Sequence, residues 1–413
     1  MTRTSRSRGK SPRGHQRGQR PSSRRPAMTL HDPRPVPDWL SDATAALFPD
    51  GVPPSDALFE ALSARPMPMT APGHVIFAWT GEAEGVDLLR WIHAGVDRVP
   101  YVRVPDTDLW VLHLPVQDGG RFEYKLAVRR HGHEHWELDP FNPNRAGDPF
   151  GENSVCRTWG YERPDWTRRT GAPAGKLEPL AVDSPTFGHA RHESVYLPAG
   201  YDAQAPYPLV VIHDGLDYDS YADLTVSLDN LIGAGDIPPL VAVLIQTAHR
   251  MEEYPRGRRH ARYVVDELLP TVTRRYAVSD RPRDRVLMGA SLGAVASLAT
   301  AFRYPGTFGG LILKSGSFIV DEEALRHRPH PVFHRTARLV RAMRRAPALT
   351  GTRAFVSTGE LEGLADENRA LADLLRDRGV DVQFKSAWDG HHWHNWRDQL
   401  RDGLMWVLHH DAT

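Results

Sequence analysis

The first chemistry the chain offers is a serine between two glycines, Gly289-Ala290-Ser291-Leu292-Gly293. Arg285–Met288 before it has the pattern of a short buried strand, and Leu292–Arg303 after it that of a helix rich in small residues. A serine on such a strand-to-helix turn must take a strained conformation, and the flanking glycines remove the clashes. The helix N-terminus presents amides, that of Leu292 included, able to hold a developing oxyanion. The plain alternative is a tight glycine turn with an idle serine.

A serine hydroxyl is a weak nucleophile without a base in reach, and on this kind of sheet the chain order is serine, acid, histidine. Trp388-Asp389-Gly390-His391-His392-Trp393-His394-Asn395-Trp396 follows the last predicted strand, where a loop stands over the same sheet edge as the serine. Sequence alone barely separates its three histidines. A surface-loop position is expected for His392 and His394, and a metal site on all three lacks an acidic or cysteine companion at ligand spacing. The acid should follow the strand ending near Thr358, where Glu360 and Glu362 both stand; either could orient an imidazolium. A second oxyanion donor should come from the loop after Pro208–Ile212, in His213-Asp214-Gly215-Leu216. There Gly215 lets the backbone approach the reacting carbon, and the N–H of Gly215 or Leu216 is the candidate. The alternative is a plain Asp-Gly turn.

These residues need a scaffold. Apolar runs at Glu193–Leu197, Pro208–Ile212, Leu240–Ile245, Arg285–Met288, Gly310–Leu313, Arg353–Val356 and Asp381–Phe384 alternate with helical stretches such as Arg262–Tyr276 and Glu367–Arg378. This predicts a largely parallel sheet covered on both faces, an α/β domain, over 180–413. Before it, short β-rich runs at His74–Trp79, Val86–Ile92, Trp110–Leu114, Phe122–Val128 and His135–Leu138 predict a small all-β sandwich. With a helical lead-in carrying Leu40, Ala43, Leu47, Leu58 and Leu62, the sandwich makes up a domain over 37–162. Residues 163–179, rich in Pro, Gly and charge, are expected as linker, and 1–36 as a disordered basic tail, or an over-long start with Met28 as true initiator. His131, His133 and His135 are expected as an exposed turn rather than a metal site.

The chain has 413 residues and a formal charge of zero, but residues 1–27 hold nine Lys/Arg and no acid, so the remainder carries −9. A mildly acidic body argues against a nucleic-acid partner. No apolar run approaches the ~18 residues of a membrane span. One cysteine, Cys156, excludes an internal disulfide and a cysteine-built metal site, and points to a reducing, cytoplasmic setting. Nothing in the sequence sets an oligomeric state.

From about Glu193 onward the chain resembles the esterase D and enterochelin (ferric-siderophore) esterase family of α/β-hydrolases. The likeness is carried by HDGLDY at His213–Tyr218, AHRMEEY at Ala248–Tyr254, DELLP at Asp266–Pro270 and GASLG at Gly289–Gly293. RYPGTFGGLILKSGSF at Arg303–Phe318 and GHHWHNWR at Gly390–Arg397 continue it in the family's order. The preceding β-rich segment, with DPFNP at Asp139–Pro143, resembles the Ig-like N-terminal domain of enterochelin esterases. The resemblance implies Ser291 as nucleophile and His391 as base, aligned through the Trp396 that follows. It favours Glu362 over Glu360 as acid, although in some members a Ser–His pair suffices. Many members carry Asp where this chain has His392. Arg250 and Glu253 match an Arg-x-x-Glu element lining the substrate cleft.

The expected activity is that of a serine carboxylic-ester hydrolase needing no metal or organic cofactor. Its partner is a small-molecule ester, expected to be a siderophore such as a catecholate trilactone, with or without its iron. Arg250, Arg256, Arg258, Arg259, His260 and Arg262 form a basic cluster suited to a polyanion, or equally a solvated face. Trp388, Trp393 and Trp396 offer flat contact surface, or core. An esterase acting on carbohydrate-linked acyl groups, or a general carboxylesterase, is the alternative within the class. A non-catalytic binding protein on a hydrolase frame is the alternative outside it.

Overall fold

Leu40, Ala43 and Leu47 share one face of helix Trp39–Leu47, and Leu58 and Leu62 one face of Leu58–Ser63; all five are buried, as their spacing demands. The structure is a computed structural model that describes residues 37–92, 95–345 and 349–409; the basic tail expected over 1–36 lies outside the described residues. The two helices close the core of an all-β domain with Phe77, Trp79, Leu88, Phe122 and Tyr124. One of its sheets runs Met69–Ala71, His74–Thr80, Leu109–Pro115, Val102–Arg103. The other runs Gly95–Pro100, Gly85–Ile92, Arg121–Arg130, Gly151–Arg157, Arg145–Asp148, with His133–Glu137 also paired to Arg121–Arg130.

The start of Arg121–Arg130 is buried on both faces. Phe122 and Tyr124 enter the sandwich core, and Arg121 and Glu123, which point the other way by strand alternation, are only 2% and 3% exposed. The histidine loop of the second domain covers them.

That domain is built on an eight-stranded sheet. Its order is Lys176–Val182, Arg191–Leu197, Val241–Ile245, Leu209–His213, Arg285–Ala290, Gly310–Lys314, Arg353–Gly359, Asp381–Ala387. The first two pairings are antiparallel and the rest parallel. Lys176–Val182 begins within the segment expected as linker. Strands such as Leu209–His213, Val241–Ile245 and Gly310–Lys314 are buried along their whole length, because helices cover both faces. Their carboxyl ends share one edge, so the segments after His213, Ala290, Lys314, Gly359 and Ala387 meet there. The helix expected over Arg262–Tyr276 is not continuous: α-helix Arg258–Arg262 passes through a π-helical turn, Tyr263–Leu268, into Leu269–Arg275. Pro270 lacks the N–H that a regular ladder would use there. Among the described residues no helix is long and apolar enough to cross a membrane.

Candidate active site

Ser291 joins strand Arg285–Ala290 to helix Leu292–Arg303 at φ 56°, ψ −121°, a region non-glycine residues avoid. Contact requires glycine at the first of the pentapeptide's glycine positions and leaves little room at the last. A Cβ on Gly289 would lie 2.4 Å from the Gly293 carbonyl carbon, and one on Gly293 would lie 3.1 Å from His213 Cβ. The bend is pinned by backbone bonds on either side: Ser291 N–H donates to the Lys314 carbonyl (2.9 Å) and Ser317 N–H to the Ser291 carbonyl (3.2 Å). Ser291 Oγ stands 3.1 Å from Ser317 Oγ, and the first-turn amides of the helix, which have no acceptor within it, start at Leu292.

His391 lies in the loop between strand Asp381–Ala387 and helix Trp393–Asp398. Its Nδ1 is 2.5 Å from Glu362 Oε2, and its ring stands edge-on to Trp396, with centroids 5.0 Å apart. Trp396 is held in turn by its indole N–H, which donates to Ser315 Oγ at 2.9 Å. Glu362 is buried, and its Oε1 accepts from Ser315 Oγ (2.6 Å), Thr358 Oγ1 (2.7 Å) and Gly359 N–H (2.6 Å). Burial would push this carboxyl up. The adjacent His391, with the donated hydrogen bonds, outweighs burial and holds it down at about 2. Glu360, two residues earlier, is exposed and accepts from Ser386 Oγ (2.9 Å). The geometry therefore brings Glu362, not Glu360, to the histidine.

Gly215 opens helix Gly215–Ala222 behind Asp214, which sits at φ 54°, ψ 39°. The expected close approach there is to the neighbouring strand: a Cβ on Gly215 would lie 2.5 Å from Leu244 Cα. The side chains of this segment that line the cavity beside Ser291 are those of Asp214 and Asp217. Asp214 is buried and takes Arg250 in two contacts, Nη2 to Oδ2 at 2.8 Å and Nε to Oδ1 at 3.2 Å.

Two cavities meet at this point, of about 360 Å³ and 350 Å³. Ser291 and Arg250 line both. The first is also walled by His391, Trp393 and Trp396, and from the sandwich by Glu123 and the turn Asp148-Pro149-Phe150, whose phenyl ring is 92% exposed. Four carboxylates, Glu123, Asp148, Asp214 and Asp217, line it. The second carries His327, Arg328, His330 and Phe333 with no acidic residue.

Several expected site residues lie elsewhere. Arg256 is exposed and lines neither cavity. Glu253 is committed to structure: Arg191 (3.1 Å) and Thr247 (2.7 Å) hold it, and their hydrogen bonds, with His260, overcome burial to depress its pKa to about 2. Trp388, partly buried, packs against the sandwich core, edge-on to Phe122. His392 is not on a surface loop; it is buried, 3.3 Å from Glu123, because the sandwich seats on this loop. His394 is partly buried, and burial together with nearby Arg121 and Arg397 pushes its pKa far down. Sequence reasoning missed Asp214 as the Arg250 partner, Ser317 beside the nucleophile, and every sandwich residue at the cavity. Only the alternation Arg121-Phe122-Glu123-Tyr124 hinted at the last, and it reads as an ordinary solvated face.

Residues 184–407 match the protein family described as "Putative esterase", more than half of the chain. The iron(III) enterobactin esterase of Dickeya dadantii (strain 3937) is 25% identical over 359 residues, spanning 76% of this chain and 80% of that protein. Among solved structures, the ferric enterobactin esterase of Salmonella typhimurium superposes with a TM-score of 0.68 at 21% identity, covering 81% of this chain and 93% of that one. The enterobactin esterase of Shigella flexneri, determined in the presence of enterobactin, gives 0.65 at 22% identity over 81% and 92%. The shared fold includes both the sandwich and the α/β-hydrolase domain.

Proposed function

The chain belongs to this esterase family, and from that premise we propose that it is a serine esterase acting through Ser291, His391 and Glu362 on the ester bonds of a siderophore. The observation that carries the reading is the buried Glu362–His391 pair opening on the same cavity as a serine held at a strained turn. Glu362 fixes the ring with Nδ1 as the protonated nitrogen, so Nε2 takes the Ser291 proton as Oγ attacks the ester carbonyl. The Leu292 amide, with a first-turn amide of Gly215–Ala222, holds the oxyanion, each such donor being worth about 2.7–4 kcal/mol. His391 returns the proton to the departing alkoxide. Water then repeats the sequence on the acyl-enzyme and frees Ser291.

The substrate follows from the relatives and from the two cavities. Several of the relatives are iron(III) enterobactin esterases. An ester lying across Ser291 places one side against the sandwich and the other in the lobe with Arg250, His327, Arg328 and His330, a lining suited to an anionic aromatic arm. The test is steady-state hydrolysis of enterobactin-type trilactones, iron-loaded and iron-free, beside short neutral p-nitrophenyl esters. Ser291→Ala should lose at least ~10³-fold on all of them with an unchanged circular dichroism spectrum. A kcat/KM for neutral short esters equal to that for the trilactones would replace the siderophore with a general carboxylic ester.

A further inference from the structure

His391 sits in a stretch without regular structure, between the end of one strand at Ala387 and the start of a helix at Trp393. From the hydrolase side the loop is held by backbone and amide contacts: Leu361 N–H to the Asp389 carbonyl (3.0 Å) and Asn395 Nδ2 to the Gly390 carbonyl (2.8 Å). From the sandwich side it is gripped by a buried polar network. Arg121 Nη1 donates to Asp389 Oδ2 (2.8 Å) and Nη2 to Glu123 Oε1 (2.8 Å), while Glu123 Oε2 lies 3.3 Å from His392 Nδ1. Arg121 N–H donates to the Trp388 carbonyl (3.0 Å), and a Cβ on Gly120 would lie 2.5 Å from that same oxygen. Asn153 Nδ2 completes Glu123 at 3.0 Å. Arg121, Glu123, Asp389 and His392 are each at most 5% exposed.

We propose that Arg121 and Glu123 are positioning residues for His391, so that the sandwich, besides walling the cavity, sets the orientation of the base. The two side chains stand two residues apart on one strand, on its same face. They grip residues on either side of His391, Asp389 and His392. Buried polar groups of this kind hold as a set, and removing one leaves its partner without its hydrogen bond. Because the grip flanks His391, loosening either end turns the ring away from Glu362 and Ser291. A misplacement of ~1 Å in a reacting group lowers rate by about 10²-fold. The proposal rests on His391 acting as the base.

The test uses the full chain with p-nitrophenyl acetate, an ester too small to span the cavity to the sandwich wall. Arg121→Met and Glu123→Gln should each lower kcat by about 10- to 100-fold and change KM by less than about threefold. Arg121→Lys should recover much of the Arg121 loss. Glu123→Gln combined with His392→Gln should lose clearly less than the product of the single losses, since both act on one contact. Folded Arg121→Met and Glu123→Gln proteins with unchanged kcat, or a loss confined to KM, would overturn the proposal. Should Arg121→Met fail to fold, the Glu123/His392 cycle decides, and multiplying losses refute it. His391→Ala serves as reference: if it is inactive while the clamp variants are normal, the clamp alone is wrong, and if it turns over normally, the base assignment is wrong.

Discussion

At the scale of single residues, the site turns on which of two neighbouring glutamates reaches the histidine. In the sequence Glu360 and Glu362 are equivalent, and only the family resemblance favoured the second. The fold separates them through the turn after Gly359, which buries Glu362 under Ser315, Thr358 and His391 and leaves Glu360 outside. Glu362→Gln is therefore expected to lower kcat by about 10²- to 10⁴-fold, and Glu360→Gln to leave it unchanged, in parallel steady-state assays. The pH dependence has a definite sign. Glu362 is held at about 2 in the folded chain, below its unfolded value near 4.3. Its ionised form thus stabilises the fold above that unfolded value, and the contribution disappears as pH falls towards 2. The stability gap between wild type and Glu362→Gln should narrow over that range in acid titrations. Ser291 was legible because a strained serine needs glycine neighbours, a requirement visible in five letters. The family's Arg-x-x-Glu element points Glu253 to the cleft and the run of basic neighbours points Arg256 there, but neither says which way a side chain faces.

At the scale of elements, period and composition revealed the strands and most helices, but not what covers them. Arg121-Phe122-Glu123-Tyr124 alternates as a strand with one wet face should, yet that face is closed by a loop 268 residues further along the chain. No local pattern encodes a partner so distant. The strand Gly310–Lys314 poses a similar case. Lys314 is fully buried and its Nζ donates to the Trp396 carbonyl at 2.6 Å, tying the helix after the histidine loop to the sheet. Burial lowers its pKa to about 7. Between pH 7 and the ordinary lysine value near 10.4, the unfolded chain binds a proton that the folded chain does not, so stability should rise with pH across that interval. Melting curves at pH 7 and pH 9 should show this rise in wild type, and Lys314→Met should flatten it; an equal rise in both proteins would contradict the assignment.

At the scale of the whole molecule, two domains legible as separate textures share buried chemistry. Trp388 of the hydrolase half packs against the sandwich core, and the Arg121–Asp389 pair is buried between them. Thermal unfolding is accordingly expected as one transition, coincident by calorimetry and by tryptophan fluorescence. Two resolved endotherms would show that the halves melt independently. The same arrangement bears on how such a protein can change its diet over generations. Phe150 projects from a hairpin tip with almost nothing packed on it, so drift at that tip alters which guest is admitted and leaves the cutting apparatus alone. Glu123, buried in the same cavity wall, enjoys no such licence, since on the proposed clamp its strand also steadies His391. Adaptation to new esters is thereby channelled to the rim.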